Sequence, residues 1–231
     1  MPGIGTVVLA KRRGARNIRI SLSPSGQVRV AMPHWVPYAA GLHFLKKHET
    51  WIKEQQEKHS LQPLQEGHRV GRQHLIKFKT PASGSAKTTV KVSSTAITVT
   101  TPLEPSHPEL QRKLVNAAER ALKQEAIELL PPRLARISQA QNLPYRSLKI
   151  RKLTSRWGSC SSKRDIALSY YLVQLPDDLV DYVLLHELAH TVHHNHSREF
   201  WSFMESCTSN LRELRRRIKQ FRPRVEPLQE T

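Results

Sequence analysis

Two histidines, His186 and His190, stand four residues apart, with Glu187 directly after the first. On an α-helix, positions four apart share one face, so both imidazoles point the same way and can meet a single ion. Glu187 lies to the side of that face, where it can reach a water activated by the ion. A bound metal lowers the pKa of such a water towards neutrality, and a carboxylate can take its proton. The pattern therefore implies a helix, a metal and hydrolytic chemistry together.

The flanking residues favour that helix. Pro176 suits the first helical position, and Asp177 and Asp178 complement the positive end of the helix dipole. Leu179, Val180, Val183, Leu184 and Leu188 form an apolar stripe at helical spacing, which places the motif late in a core-packed helix. Catalytic zinc usually keeps three protein ligands and one open position. The expected third ligand is His196, with His193, Glu199 and Glu205 as alternatives. His196 can reach the ion only if the helix stops and the chain turns back. Asn195 tolerates the left-handed conformation and could end the helix, and Ser197 could cap a new one starting at Arg198. The five residues between His190 and His196 equal the spacing of H-E-x-x-H-x-x-G-x-x-H zincins, although His193 stands where that pattern has glycine. His193 and His194 are expected at the surface or beside the cleft.

The motifs Arg156-Trp157-Gly158-Ser159-Cys160, Asp181-Tyr182-Val183, His186-Glu187-Leu188-Ala189-His190, Asn195-His196-Ser197 and Phe200-Trp201 occur in that order. Together they resemble the YgjP-like metallopeptidase family, which is related to SprT-like and minigluzincin-type proteases. The likeness is strongest over residues 145–205. It extends in outline to Asn17-Ile18-Arg19-Ile20 and Trp51-Ile52. The resemblance implies a zincin-like fold and peptide-bond hydrolysis. It also implies one Zn²⁺ per chain held by His186, His190 and His196, with Glu187 as catalytic base. It implies little about the substrate.

The chain carries 37 Lys and Arg against 19 Asp and Glu, a formal charge of +18, so it should attract polyanions in a salt-dependent way. The basic residues cluster at Lys11, Arg12, Arg13, Arg16 and Arg19, and again at Arg212, Arg215, Arg216, Arg217, Lys219, Arg222 and Arg224. Few aromatic residues accompany them, which argues against base stacking. Non-specific nucleic acid is thus an expected possible partner beside a peptide or protein substrate. Two cysteines, Cys160 and Cys207, make no disulfide framework. No signal peptide is evident at Met1, and no apolar run approaches the ~18 residues that span a bilayer. The expectation is a cytoplasmic protein with no membrane partner, its oligomeric state open.

The expected fold class is α+β, with a β-rich amino-terminal region (1–105) followed by a zincin-like metallopeptidase domain (106–225). Period-two alternation predicts strands at Ile4–Leu9, Asn17–Leu22, Gln27–Met32, His74–Lys79, Thr88–Val92 and Ala96–Thr100. Turn signals stand at residues 23–26 and 81–85. One helix is expected from Tyr38 to about Lys58. A backing helix should run from Pro108 to Leu130, where Pro131-Pro132 breaks it, with a shorter helix to Gln141. Ser147–Leu153 and Asp165–Leu175 are the remaining strands. The second of these is expected to form the rim of the cleft and offer a free edge to an extended substrate.

Trp157 reads as a packing residue, and Phe200 and Trp201 as anchors of the helix after the third ligand. Arg156 and Tyr170 are the candidates for stabilising the reaction's oxyanion. Two rival functions remain. One is a SprT-like protease acting on nucleic-acid-bound proteins. The other is a non-enzymatic, basic nucleic-acid-binding protein with structural zinc. Three histidines and a retained glutamate speak against the latter, because structural sites favour cysteine and four closed ligands.

Overall fold

The structure is a computed structural model that describes residues 4, 7–22, 28–59, 63–81 and 87–225. The turn at residues 23–26 and the loop at 82–85 lie outside the described residues. The fold is α+β, and the chain forms two compact units, Met1–Gln62 and Pro63–Thr231. No helix among the described residues is long and apolar enough to cross a membrane.

The first unit holds strands β1 (Val7–Arg12), β2 (Arg19–Leu22) and β3 (Val28–Pro33) in the order β1-β3-β2. The β1–β3 pair is parallel and the β2–β3 pair antiparallel. Alternation along β3 buries Val28, Val30 and Met32 against Leu45 and Ile52. Leu45 and Ile52 come from two helices, α1 (Tyr38–Lys47) and α2 (Glu49–His59), where one was expected. The break falls at His48, whose Nδ1 bonds the Phe44 carbonyl and whose N–H bonds the Leu45 carbonyl.

The second unit begins with β4 (Arg69–Val70), β5 (His74–Lys79), β6 (Thr89–Val92) and β7 (Ala96–Thr100), ordered β4-β5-β7-β6. The compact units therefore divide at Gln62, not near residue 105. The reason is burial. Val70, Ile76, Ile97 and Val99 share one core with Leu110, Leu114 and Leu122 of α3 (Pro108–Ala140). Each such side chain contributes about 1.5–3 kcal/mol by leaving water.

Helix α3 runs unbroken through Pro131 and Pro132. The prolines forgo hydrogen bonds to the carbonyls of Ile127 and Glu128, which lie on the exposed side of the helix where water can replace them. Buried Leu130 and Leu134 hold the two halves in register. Beyond α3, a second sheet is built from β8 (Ser147–Arg151), β9 (Gly158–Cys160) and β10 (Asp165–Ser169), ordered β8-β10-β9. Strand β10 is shorter than expected, because residues Tyr170–Gln174 form a buried 3-10 turn packed on α3. It is also central, so the rim with a free edge is β9, not β10. Three helices follow: α4 (Asp177–Ala189), α5 (Arg198–Cys207) and α6 (Leu211–Arg217).

Two arginines fix the start of α4. The Arg72 guanidinium donates to the Val173 carbonyl at 3.2 Å, the Leu175 carbonyl at 2.8 Å and the Asp177 carboxylate at 3.0 Å. Arg133 of α3 pairs with both Asp177 and Asp181. Arg72 is itself set by a turn wrapped around the buried Glu125. That carboxylate accepts the N–H groups of Arg72 (2.6 Å), Gln73 (3.0 Å) and His74 (3.3 Å), and pairs with His74 Nδ1 at 2.6 Å. Gly71 (φ +64°) is required in this turn, since a Cβ there would lie 2.4 Å from Glu125 Oε2.

Candidate metal centre

Helix α4 carries His186 and Glu187 in its last turn and is capped by His190. Pro176 precedes the helix as its cap, one position earlier than the sequence pattern placed it. The chain then reverses, and Ser197 stands at the N-cap position of α5 without a side-chain hydrogen bond to the helix's first N–H groups. The means of reversal differs from expectation. Asn195 is not in the left-handed region; instead its Oδ1 accepts the Ser197 N–H at 3.2 Å. The side chain thus stands in for a backbone turn.

The reversal brings His196 beside His186, with their Nε2 atoms 3.0 Å apart. Ligand nitrogens of His186, His190 and His196 all lie within 4.8 Å of one another. His193 is outside this group, but its backbone serves it. His190 Nδ1–H donates to the His193 carbonyl at 2.8 Å, which leaves Nε2 of His190 with a free lone pair. The His193 ring packs on Phe203. The alternatives Glu199 and Glu205 are exposed on α5 and are likewise outside the group.

Aromatic packing orients the imidazoles. Phe200 is fully buried, stacks on His190 at 4.7 Å and meets His186 and His196 edge-on at 5.0 and 4.9 Å. Trp201 stacks on His196 at 5.5 Å, and Arg215 of α6 lies 3.8 Å over the indole. Phe200 and Trp201 therefore do more than anchor α5, because they are the surfaces against which the histidines rest. Burial, with the neighbouring His190, His196 and Arg215, pushes the His186 pKa down to about 3, and burial lowers that of His190. Neutral imidazoles are the form that binds a metal.

These residues fit a metal ion. Three nitrogen donors converge, and an ion with tetrahedral Zn–N bonds of about 2.0–2.1 Å would set its ligand nitrogens about 3.3 Å apart. The 3.0 Å between His186 and His196 is close to that edge. The buried Nδ1 of His186 has no hydrogen-bond partner among the described residues, so the ring is positioned by its aromatic neighbours.

Glu187 is 6% exposed and faces the backbone of β9. A Cβ on Gly158 would lie 2.6 Å from Glu187 Cγ and 2.7 Å from its Oε1. Only hydrogen at this position leaves room for the carboxylate. Burial pushes the Glu187 pKa up to about 8, while the Arg156 charge pulls it down.

A cleft of about 490 Å³ opens over the centre. One wall is Arg156 to Cys160, the floor is Tyr182, Val183 and the α4 residues of the site, and His194, His196 and Ile218 complete it. Of the two oxyanion candidates, Arg156 lines the cleft and Tyr170 does not. Tyr170 is buried in the 3-10 turn beside Tyr171, whose hydroxyl donates to Glu119 at 2.7 Å. The Cys160 thiol also lines the cleft, but burial first, and then the Glu187 charge, push its pKa up to about 11. It is therefore no ready thiolate ligand. The sequence pattern did not reveal β9 as the rim or Gly158 as the close approach. The doublet Trp157-Gly158 at the start of β9 was the available signal for the rim.

The family described as YgjP-like, metallopeptidase domain, matches residues 16–221. Among solved structures, the chain is similar to the metallopeptidase zymogen of Pyrococcus abyssi abylysin. That likeness has 25% identity and a TM-score of 0.36, over 39% of this chain and 91% of that one. It is also similar to the metallopeptidase zymogen of Methanocaldococcus jannaschii jannalysin, at 22% identity and a TM-score of 0.35, over 38% of this chain and 92% of that one. Comparison with curated proteins gives no match.

Proposed function

We propose that this chain, which belongs to the YgjP-like metallopeptidase family, cleaves peptide bonds with one zinc ion held by His186, His190 and His196, and with Glu187 as the proton carrier. The observation that carries this reading is the convergence of three imidazole nitrogens within 4.8 Å beside a buried glutamate. Nitrogen donors without thiolate or carboxylate suit zinc, and three protein ligands are the number catalytic sites use. When bound, such an ion supplies Lewis acidity towards a carbonyl and acidifies water.

The protein's own residues supply the rest. Glu187 takes a proton from the attacking water and returns it to the departing amine. Its low exposure and its contact with Gly158 hold the carboxylate in one place for both transfers. Phe200 and Trp201 fix the imidazole planes, and the His193 carbonyl fixes the His190 tautomer. The free edge of β9 offers backbone groups to an extended peptide laid along the cleft.

The test is Glu187→Gln. The amide keeps the shape but cannot accept a proton, so zinc content and thermal stability should hold while peptide hydrolysis falls by at least about 10²-fold. Turnover near that of the wild type would refute the assignment.

A further inference from the structure

The last helical segment is amphipathic in an unusual way. Leu211 and Leu214 are buried, and Ile218 is half-buried and lines the cleft. Arg212, Arg215, Arg216 and Lys219 recur at helical spacing on the exposed side. Arg217, between them, is neutralised by Asp178. The other four have no acidic partner among the described residues.

This basic stripe reaches the metal centre through contact. Arg215 lies over Trp201 at 3.8 Å, and Trp201 stacks on His196 at 5.5 Å. A second guanidinium, Arg156, enters from the loop before β9 and has no hydrogen bond or ion pair among the described residues. Among the described residues, Glu187 is the only carboxylate lining the cleft, and it is buried. The nearest acids of α4 and α6, namely Asp178, Asp181 and Glu213, line a separate hollow. Arg156 lines the cleft, Arg215 stands behind the lining with its charge felt at Tyr182 and His186, and among the described lining residues only the buried Glu187 offsets them.

We infer that the cleft selects peptide segments carrying acidic side chains beside the scissile bond, with Arg156 and Arg215 as the specificity-determining residues. The inference rests on the peptidase reading of the site. A peptide fits better than a nucleic acid. The β9 edge matches an extended backbone, and Trp201 is already engaged by His196 and by Arg215, which leaves its ring less open to stacked bases. Each charge pair at these exposed arginines should change affinity by about fivefold, and less at high salt.

The experiment uses the zinc-loaded full chain as Glu187→Gln, so that peptides bind without being cut. Fluorescence anisotropy is read for three matched ten-residue peptides bearing Glu, Gln or Lys on both sides of one central bond. The Glu peptide should bind at least about tenfold tighter than the Gln peptide, and the Lys peptide weakest. Arg215→Gln and Arg156→Gln should each reduce that preference about fivefold or more, while Glu213→Gln should not. Equal affinities, or no binding by any peptide, overturn the inference. So does tight binding of a 20-base-pair DNA duplex with no charge preference among the peptides. Wild-type enzyme on the same peptides separates the two readings. Cleavage without charge preference sinks the inference and leaves the peptidase reading intact. Charge-ordered binding with no cleavage does the reverse.

Discussion

Replacing Gly158 with alanine adds one methyl group where Glu187 already stands. The new Cβ would sit 2.6 Å from Glu187 Cγ and 2.8 Å from Cδ, whereas ordinary contact begins near 3.4 Å. Something must therefore move by close to an ångström. Strand β9 cannot retreat easily, since Gly158 is paired with Leu168 of β10 and the Trp157 carbonyl accepts the Ser169 N–H at 2.8 Å. The Glu187 side chain is the free party and will swing. Misplacing a reacting group by about 1 Å costs about 10²-fold in rate. Overpacking costs about 1–3 kcal/mol of stability. Gly158→Ala should therefore lose about 10²-fold in kcat while retaining one zinc per chain by elemental analysis. Near-normal turnover would refute the argument. Loss of zinc along with activity would also refute it, because the histidines, not Glu187, would then be what moved.

Other outcomes follow from the same structure. His196→Ala should weaken zinc affinity by at least about 10²-fold in competitive titration. His193→Ala should stay within a few-fold, because the carbonyl that orients His190 survives the substitution. Glu125→Ala should lose about 3–5 kcal/mol, or roughly 10 °C in Tm. It strands the buried His74 and three backbone N–H groups and loosens the turn that carries Arg72. Asp177 has its pKa lowered, by Arg133 first and then by Arg72. Its contribution is present above the unfolded value of 3.8 and lost as pH falls through the lowered one, so the stability gap between wild type and Asp177→Asn should narrow from pH 7 to pH 3 in urea unfolding.

The helix of the site was legible because its signals agree. The apolar stripe from Leu179 to Leu188 and the acidic first turn both describe a buried helix, and α4 is one. His74–Lys79 and Ala96–Thr100 were equally plain, as alternating strands whose ends coincide with β5 and β7. Failures came where tertiary packing overrides a local rule. Pro131-Pro132 should stop a helix, yet the buried leucines on both sides keep α3 whole. The run from Asp165 to Leu175 alternates like a strand throughout, but residues 170–174 gain more by turning onto α3. Asn195 was read for its backbone tolerance and acts through its side chain. Gly158 could not be understood from the sequence at all, because its reason is Glu187, 29 positions away.

X-ray absorption at the zinc edge tests the central claim most directly, because it reads the ligands themselves. The protein, loaded with one equivalent of zinc, should show three imidazole nitrogens at about 2.0–2.1 Å and one further light scatterer. His196→Ala should lose one imidazole contribution. A sulfur shell at about 2.3 Å would put Cys160 or Cys207 on the metal. That result, or an unchanged spectrum in His196→Ala, would contradict the three-histidine centre.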